Sequence, residues 1–182
     1  MREKAKRIAK RITTMIIMIS IVLGSIMIHD QRVMAFDMPT GHTKMNPELK
    51  AYVEKICEDY YLCPDLVIAL AELESQLDYD AVSSSGCVGL CQISPKWNED
   101  RMKKLSVTNL KDPYQNTLVC CDILAELFDE YGEVYEVLMF YNMGYNGITL
   151  FEKGKISEYA RDITERSEEL ERIREMEEIA VG

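Results

Sequence analysis

Glu74 is the side chain in this sequence whose type and placement most readily support chemistry. It lies on a helix expected from Pro64 onward, where it stands about 20° from Val67, 40° from Leu70 and 60° from Leu77 at 100° per residue. Its carboxylate therefore falls within the apolar stripe, whereas Glu72, about 200° away, is expected to face water. A carboxyl kept from water disfavours its charged form, so its pKa should rise from about 4.3 towards the range useful to a general acid near neutral pH. An inward Glu can equally be a satisfied polar residue bridging helix ends, and periodicity does not choose between the two. The flanking sequence favours chemistry. Ser83 follows nine residues after Glu74, then come Gly86, Gly89, Leu90 and Gln92, a polar loop opened by glycines at the C-terminal end of the helix.

A general acid of this kind often works with a second carboxyl group about 5 to 10 Å away. Asp78 and Asp80 are the nearest candidates, and surface or capping roles explain both. Other nucleophiles lack partners. His29 and His42 both precede the helical part, so no histidine is left there to activate a cysteine, and neither zinc-type spacing nor enough histidine exists for a metal site. The six cysteines allow fifteen disulfide pairings in an exported chain; Cys57 with Cys63 is one reasonable pair, and Cys87 or Cys91 could reach Cys120 or Cys121. Buried thiols used as small hydrophobes explain Cys120 and Cys121 equally well. The 11 methionines read as core filling, and Trp97 either stacks on a ligand or covers a helix junction.

The elements that must position Glu74 are helical. Asn46-Pro47-Glu48 opens a first helix with its apolar positions at Leu49, Tyr52, Val53, Ile56, Cys57 and Tyr60. Pro64-Asp65 opens the second. Residues 83–95, SSSGCVGLCQISP, read as turns or a short irregular hairpin. Asp112-Pro113 with Gln115 restarts a helix through a capping-box-like arrangement, with Cys120, Cys121, Leu124, Leu127, Phe128 and Tyr131 inward, and Gly132 stops it. Val134, Val137, Leu138 and Tyr141 give the next, ended by Asn142-Met143-Gly144, and Ser157 opens a final charged helix through about Ile179. The fold class is mainly α.

These residues carry a resemblance. ALAELESQLDYDAVSSSGCVGLCQISP is similar to the core of the soluble lytic transglycosylase and goose-type lysozyme family, whose pattern has Glu-Ser, a Ser nine positions after the Glu, then Gly and Gly-Leu-Met-Gln. Asp112-Pro113 to Asn142-Met143-Gly144 resembles its later helix pair ending in a Tyr-Asn-x-Gly turn, and Glu158-Tyr159-Ala160-Arg161 its C-terminal tyrosine segment. The resemblance covers about residues 47–163 and implies a lysozyme-like compact helical domain with the loop beside an active-site cleft. It implies that Glu74 is the catalytic acid and base, and that Ser83, Gln92, Tyr141, Asn142 and Tyr159 bind the sugar. The activity implied is cleavage of the β-1,4 bond between N-acetylmuramic acid and N-acetylglucosamine in peptidoglycan, with a 1,6-anhydro product and no metal or organic cofactor. The same resemblance leaves a goose-lysozyme-type hydrolase and a non-catalytic wall-binding or assembly factor as alternatives. Cys91 stands at the family's usual Met, and the turn reads Tyr-Asn-Met-Gly-Tyr-Asn where Tyr-Asn-Ala-Gly-Pro is frequent.

The N-terminus and the charge bound where such a domain works. Residues 1–11 carry six Lys/Arg and one Glu and precede an apolar run, Met15 to Ile28, with Val33-Met34-Ala35 at a plausible cleavage point. We read 1–35 as an export signal, with an uncleaved membrane anchor as the alternative. Either places the remainder outside the cytoplasm, at the cell wall or beyond, and limits membrane contact to this segment. A linker, 36–46, a catalytic domain, 47–165, and a charged C-terminal helix, 166–182, follow. The 182 residues carry a net charge of −10, and removing 1–35 leaves 14 basic and 29 acidic side chains, near −15. A body so acidic has little electrostatic affinity for nucleic acid and must grip a glycan by shape and hydrogen bonds. Small size suits local wall opening for a secretion, conjugation or phage-like apparatus.

Overall fold

The computed structural model describes residues 40–181; the expected signal or anchor, 1–35, lies outside the described residues. Seven helices follow one another among the described residues: α1 (Pro47–Tyr60), α2 (Pro64–Ser75), α3 (Glu99–Lys104), α4 (Pro113–Glu130), α5 (Val134–Met143), α6 (Tyr145–Glu152) and α7 (Glu158–Val181). The mainly α expectation holds. Between α2 and α3 the loop forms two isolated antiparallel bridges, Val82 with Val88 and Val88 with Ile93, the irregular hairpin that its serines and glycines suggest.

The helix starts are set by local chemistry. Asn46 Oδ1 accepts from the backbone N–H groups of Glu48 and Leu49, satisfying two donors that a helix N-terminus leaves unpaired. Asp112 Oδ1 does the same for Tyr114 and Gln115 at α4. Gln115 does not close the reciprocal half of the box; its Oε1 accepts from the N–H groups of Thr108 and Asn109, tying down the loop before α4. Ser157 Oγ accepts from Ala160 N at the start of α7.

Helix α2 is central to the core of the described residues. Every residue from Asp65 to Glu72 is buried, with α7 and α1 packed along the helix and its side chains part of the one hydrophobic core. A helix covered all round has no solvent side, which corrects the expectation for Glu72: it is 2% exposed and points into the α2–α7 seam. Leu77 also departs from the helical wheel, since α2 ends at Ser75 and both Gln76 and Leu77 take left-handed backbone angles.

Two elements were not anticipated. Helix α3 has six residues, EDRMKK, with none buried, so no periodicity marks it. Helix α6 directly follows the Asn142-Met143-Gly144 stop; Gly144, with φ +57°, turns the chain and α6 begins one residue later. Gly147 allows α6 to lie against α5, where a Cβ would fall 2.1 Å from the Met139 carbonyl oxygen. Helix α7 runs unbroken through residue 166, so the division drawn between 165 and 166 falls inside one helix that contributes Ala160, Ile163 and Leu170 to the core. The expected linker is partly docked: Met45 is buried, and Gly41 and Thr43 bond to α7 and α2.

Candidate active site

Glu74 sits in the last turn of α2, where the antiparallel α7 brings Tyr159 against it. The Tyr159 hydroxyl donates to Glu74 Oε1 at 2.5 Å. Oε2 makes no hydrogen bond among the described residues and, on a half-buried residue, keeps some contact with solvent. One oxygen is held and the other is free to meet a ligand. Burial pushes the Glu74 carboxyl up to about 7, with the Tyr159 hydrogen bond opposing the shift. The position near a helix C-terminus, which carries partial negative charge, also disfavours the ionised form. A carboxyl divided between its two protonation states near neutrality can both give and take a proton.

Around it stand groups that hold their protons. Tyr159 is pushed above the ordinary tyrosine range by burial and by Glu74 beside it. Tyr141, on α5, is pushed up by burial and by Cys120, Cys91 and Glu74; its hydroxyl donates to the Cys91 carbonyl oxygen at 2.8 Å and lies 3.7 Å from Cys120 Sγ. The Cys91 thiol is raised by its hydrogen bond with Cys120 and by burial. Glu74 is thus the member of this cluster poised to titrate near pH 7.

The hairpin loop is anchored by a residue that the reading of the sequence missed. Asn116, wholly buried on α4, accepts from Cys91 N at 2.8 Å and donates through Nδ2 to the carbonyls of Val88, 2.9 Å, and Leu110, 2.8 Å. Gly89 lets the loop approach that amide: a Cβ there would lie 2.2 Å from Leu110 O and 2.5 Å from Asn116 Nδ2. The signal was available, because Asn116 precedes the inward Cys120 by four residues and so is a polar side chain on an apolar stripe, as Glu74 is.

The remaining expected site residues divide into two groups. Gln92, with φ +48°, turns its Nε2 back to the Gly89 carbonyl at 3.0 Å, and Ser83 Oγ accepts from Cys87 N and bonds Ser85 Oγ, so both side chains shape the loop. Asn142 is half-buried, and its amide makes no hydrogen bond among the described residues. Glu74, Tyr159 and Tyr141 are brought together; no bond links Ser83 to them. Asp78 and Asp80 are exposed and engaged elsewhere, Asp78 accepting from Asp80 N and Asp80 pairing with Lys111 at 3.3 Å.

Cys57 faces Cys121 inside the core rather than Cys63, which lies exposed ahead of α2 and leaves the expected Cys57–Cys63 pair unmade. Cys91 does meet Cys120. All six cysteines are free thiols, four of them buried. Trp97 is exposed, with the Lys96 ammonium 4.6 Å from its ring centre. It adjoins a cavity of about 520 Å³ lined by Pro95, Lys96, Met102 and Val107, which does not include Glu74.

Residues 51–161 match the transglycosylase SLT domain family, and the chain belongs to that family. A transglycosylase of Enterobacteria phage PRD1 is 37% identical over 87 residues, which is 48% of this chain and 31% of the phage protein. The crystal structure of an inactive mutant of the lytic transglycosylase Slt from Pseudomonas aeruginosa superposes with a TM-score of 0.58 over 65% of this chain and 23% of that one, at 16% identity. The helical arrangement is therefore the lysozyme-like one of lytic transglycosylases. The chain spans about a third or less of the length of these two relatives.

Proposed function

We propose that this protein is an exported lytic transglycosylase that cuts peptidoglycan strands with Glu74 as its single acid and base. The observation that carries the reading is the Glu74 carboxyl itself, with one oxygen fixed by Tyr159, the other open, and a pKa of about 7. In the first step Glu74 gives its proton to the β-1,4 oxygen between N-acetylmuramic acid and N-acetylglucosamine, and that bond breaks as the muramic acetamide stabilises the cationic carbon. In the second step Glu74, now a carboxylate, takes the proton from the 6-hydroxyl of the same residue while that oxygen closes a 1,6-anhydro ring. Intramolecular attack needs no second carboxylate to prepare a water, because a tethered nucleophile has a very large effective concentration. The outward placement of Asp78 and Asp80 suits this single-carboxylate route. Tyr159 orients the acid, the Tyr141 ring and the free Asn142 amide border the sugar, and Ser83 and Gln92 shape the loop beside it. We assign residues 1–35 the role of export signal or anchor, and the wall-opening step of a secretion, conjugation or phage-like apparatus as the setting.

Digestion of purified peptidoglycan followed by mass spectrometry tests the reading. Fragments ending in 1,6-anhydromuramic acid, lighter than the hydrolytic product by one water, are expected from the wild type and not from Glu74→Gln. Reducing muramic ends would make the protein a goose-lysozyme-type hydrolase. Binding without cleavage would make it a wall-binding factor.

A further inference from the structure

On the opposite side of α2 from Glu74, a second carboxylate is fixed as tightly as Glu74 is left open. Glu72 is gripped by Arg166 of α7 through both oxygens, Nε to Oε2 at 2.7 Å and Nη2 to Oε1 at 3.3 Å, with the two side chains 3% and 1% exposed. Thr43 Oγ1 donates to Glu72 Oε1 at 2.6 Å. Arg166 Nη1 donates to Gly41 O and to Glu169 Oε2, both at 2.8 Å, and Glu169 Oε1 accepts from Gly41 N at 2.8 Å. The segment from Gly41 to Met45 thus lies as a strap over the ion pair, and five hydrogen bonds join strap, α2 and α7.

We propose that Arg166 is a positioning residue for the reaction: by holding Glu72 it sets the roll of α2 against α7, and so the placement of the Glu74 carboxyl against the Tyr159 hydroxyl. Glu72 and Glu74 project about 200° apart from one rigid helix, while Tyr159 and Arg166, two turns apart, project from nearly the same face of α7. A helix pinned on one side can roll about that pin; a second pin on the other side removes the freedom. A guanidinium fork fixes orientation as well as distance, which a point charge does not. Burying this pair has a desolvation cost that an apolar contact would avoid, so stability alone gives little reason for it.

The groups facing Glu74 are Tyr159 from α7, Tyr141 from α5 and Cys91 from the loop. A rolled α2 would move the carboxyl away from them and towards water, and its pKa would fall. The inference rests on Glu74 being the acid and base, and the test separates the two. Carbon NMR of the glutamate carboxyls, with Glu74 assigned by its loss in Glu74→Gln, reads the titration without any turnover. In the full-length double variant Glu72→Met/Arg166→Met, which replaces the charges by similar volume, the Glu74 midpoint is expected to fall by about half a pH unit or more. Glycan cleavage at pH 7 should drop in kcat by about tenfold with KM little changed. If that variant does not fold cooperatively, Arg166→Lys, which keeps the charge and loses the fork, should move the titration in the same direction. Lys55→Ala, exposed on α1 and away from this seam, should leave both readouts unchanged. A folded variant of Arg166 with the Glu74 titration and kcat of the wild type would overturn the proposal. Undiminished cleavage by Glu74→Gln would overturn the functional reading and leave the titration result standing.

Discussion

Two glutamates two residues apart on α2 are shielded in opposite ways. Glu72 meets a forked arginine, a threonine hydroxyl and a strap that seals the seam. Glu74 meets a neutral tyrosine hydroxyl and, among the described residues, no cation, and its carboxyl is raised to about 7 by burial. The contrast shows that burial alone does not assign a role. A paired carboxylate holds two helices together, whereas an unpaired one beside solvent keeps a proton that can be spent on a leaving oxygen.

The largest effect expected from breaking this contrast is catalytic. Glu74→Gln should lower glycan cleavage by about 100-fold to 10,000-fold, the usual contribution of a general acid, as read by release of soluble fragments. The same change should stabilise the fold above neutral pH. Folding raises the Glu74 pKa, so the stability associated with its proton is fully present below the unfolded value of about 4.5 and is lost as pH rises through about 7. Urea denaturation at pH 8 and pH 4.5 should show the wild type losing about 2 to 3 kcal/mol relative to Glu74→Gln over that interval.

Breaking the other carboxylate should act on stability. Glu72→Ala or Arg166→Ala leaves a buried charge without its partner and should cost about 3–5 kcal/mol in urea denaturation, most of it regained in the Glu72→Met/Arg166→Met double variant. Asn116→Leu should cost about 3 kcal/mol, because Cys91 N–H and the Val88 and Leu110 carbonyls lose their partner together. It should also release the loop, read as faster amide exchange at Cys91. The smallest effect sharpens the comparison: Tyr159→Phe removes a hydrogen bond to the charged form, so the Glu74 titration should move upward from about 7.

Much of this arrangement was legible in the sequence wherever one face of a helix told the inside from the outside. The Asn46 and Asp112 caps, the apolar stripes of α1 and α4 and the inward Glu74 all follow from spacing and capping chemistry. Glu72 was misplaced because α2 has no outside, and a one-sided helical wheel cannot represent a helix packed on every face. Arg166 stands three residues after Ile163 and four before Leu170, both buried, so an inward basic residue on α7 was readable as a partner for an inward acid. Helix α3 left no pattern because it is a turn and a half long and none of its residues is fully buried, and α6 was hidden by Gly144 and Gly147, residues that read as stops but serve a tight turn and a close helix contact.

The pH dependence of kcat/KM for glycan cleavage tests most directly whether Glu74 works as the proton donor. A donor with its pKa near 7 should give a rate that falls about tenfold per pH unit above neutrality, with the midpoint of the fall matching the Glu74 carboxyl titration. A rate that holds level or rises from pH 7 to pH 9 would contradict the assignment of a protonated Glu74 as the acid.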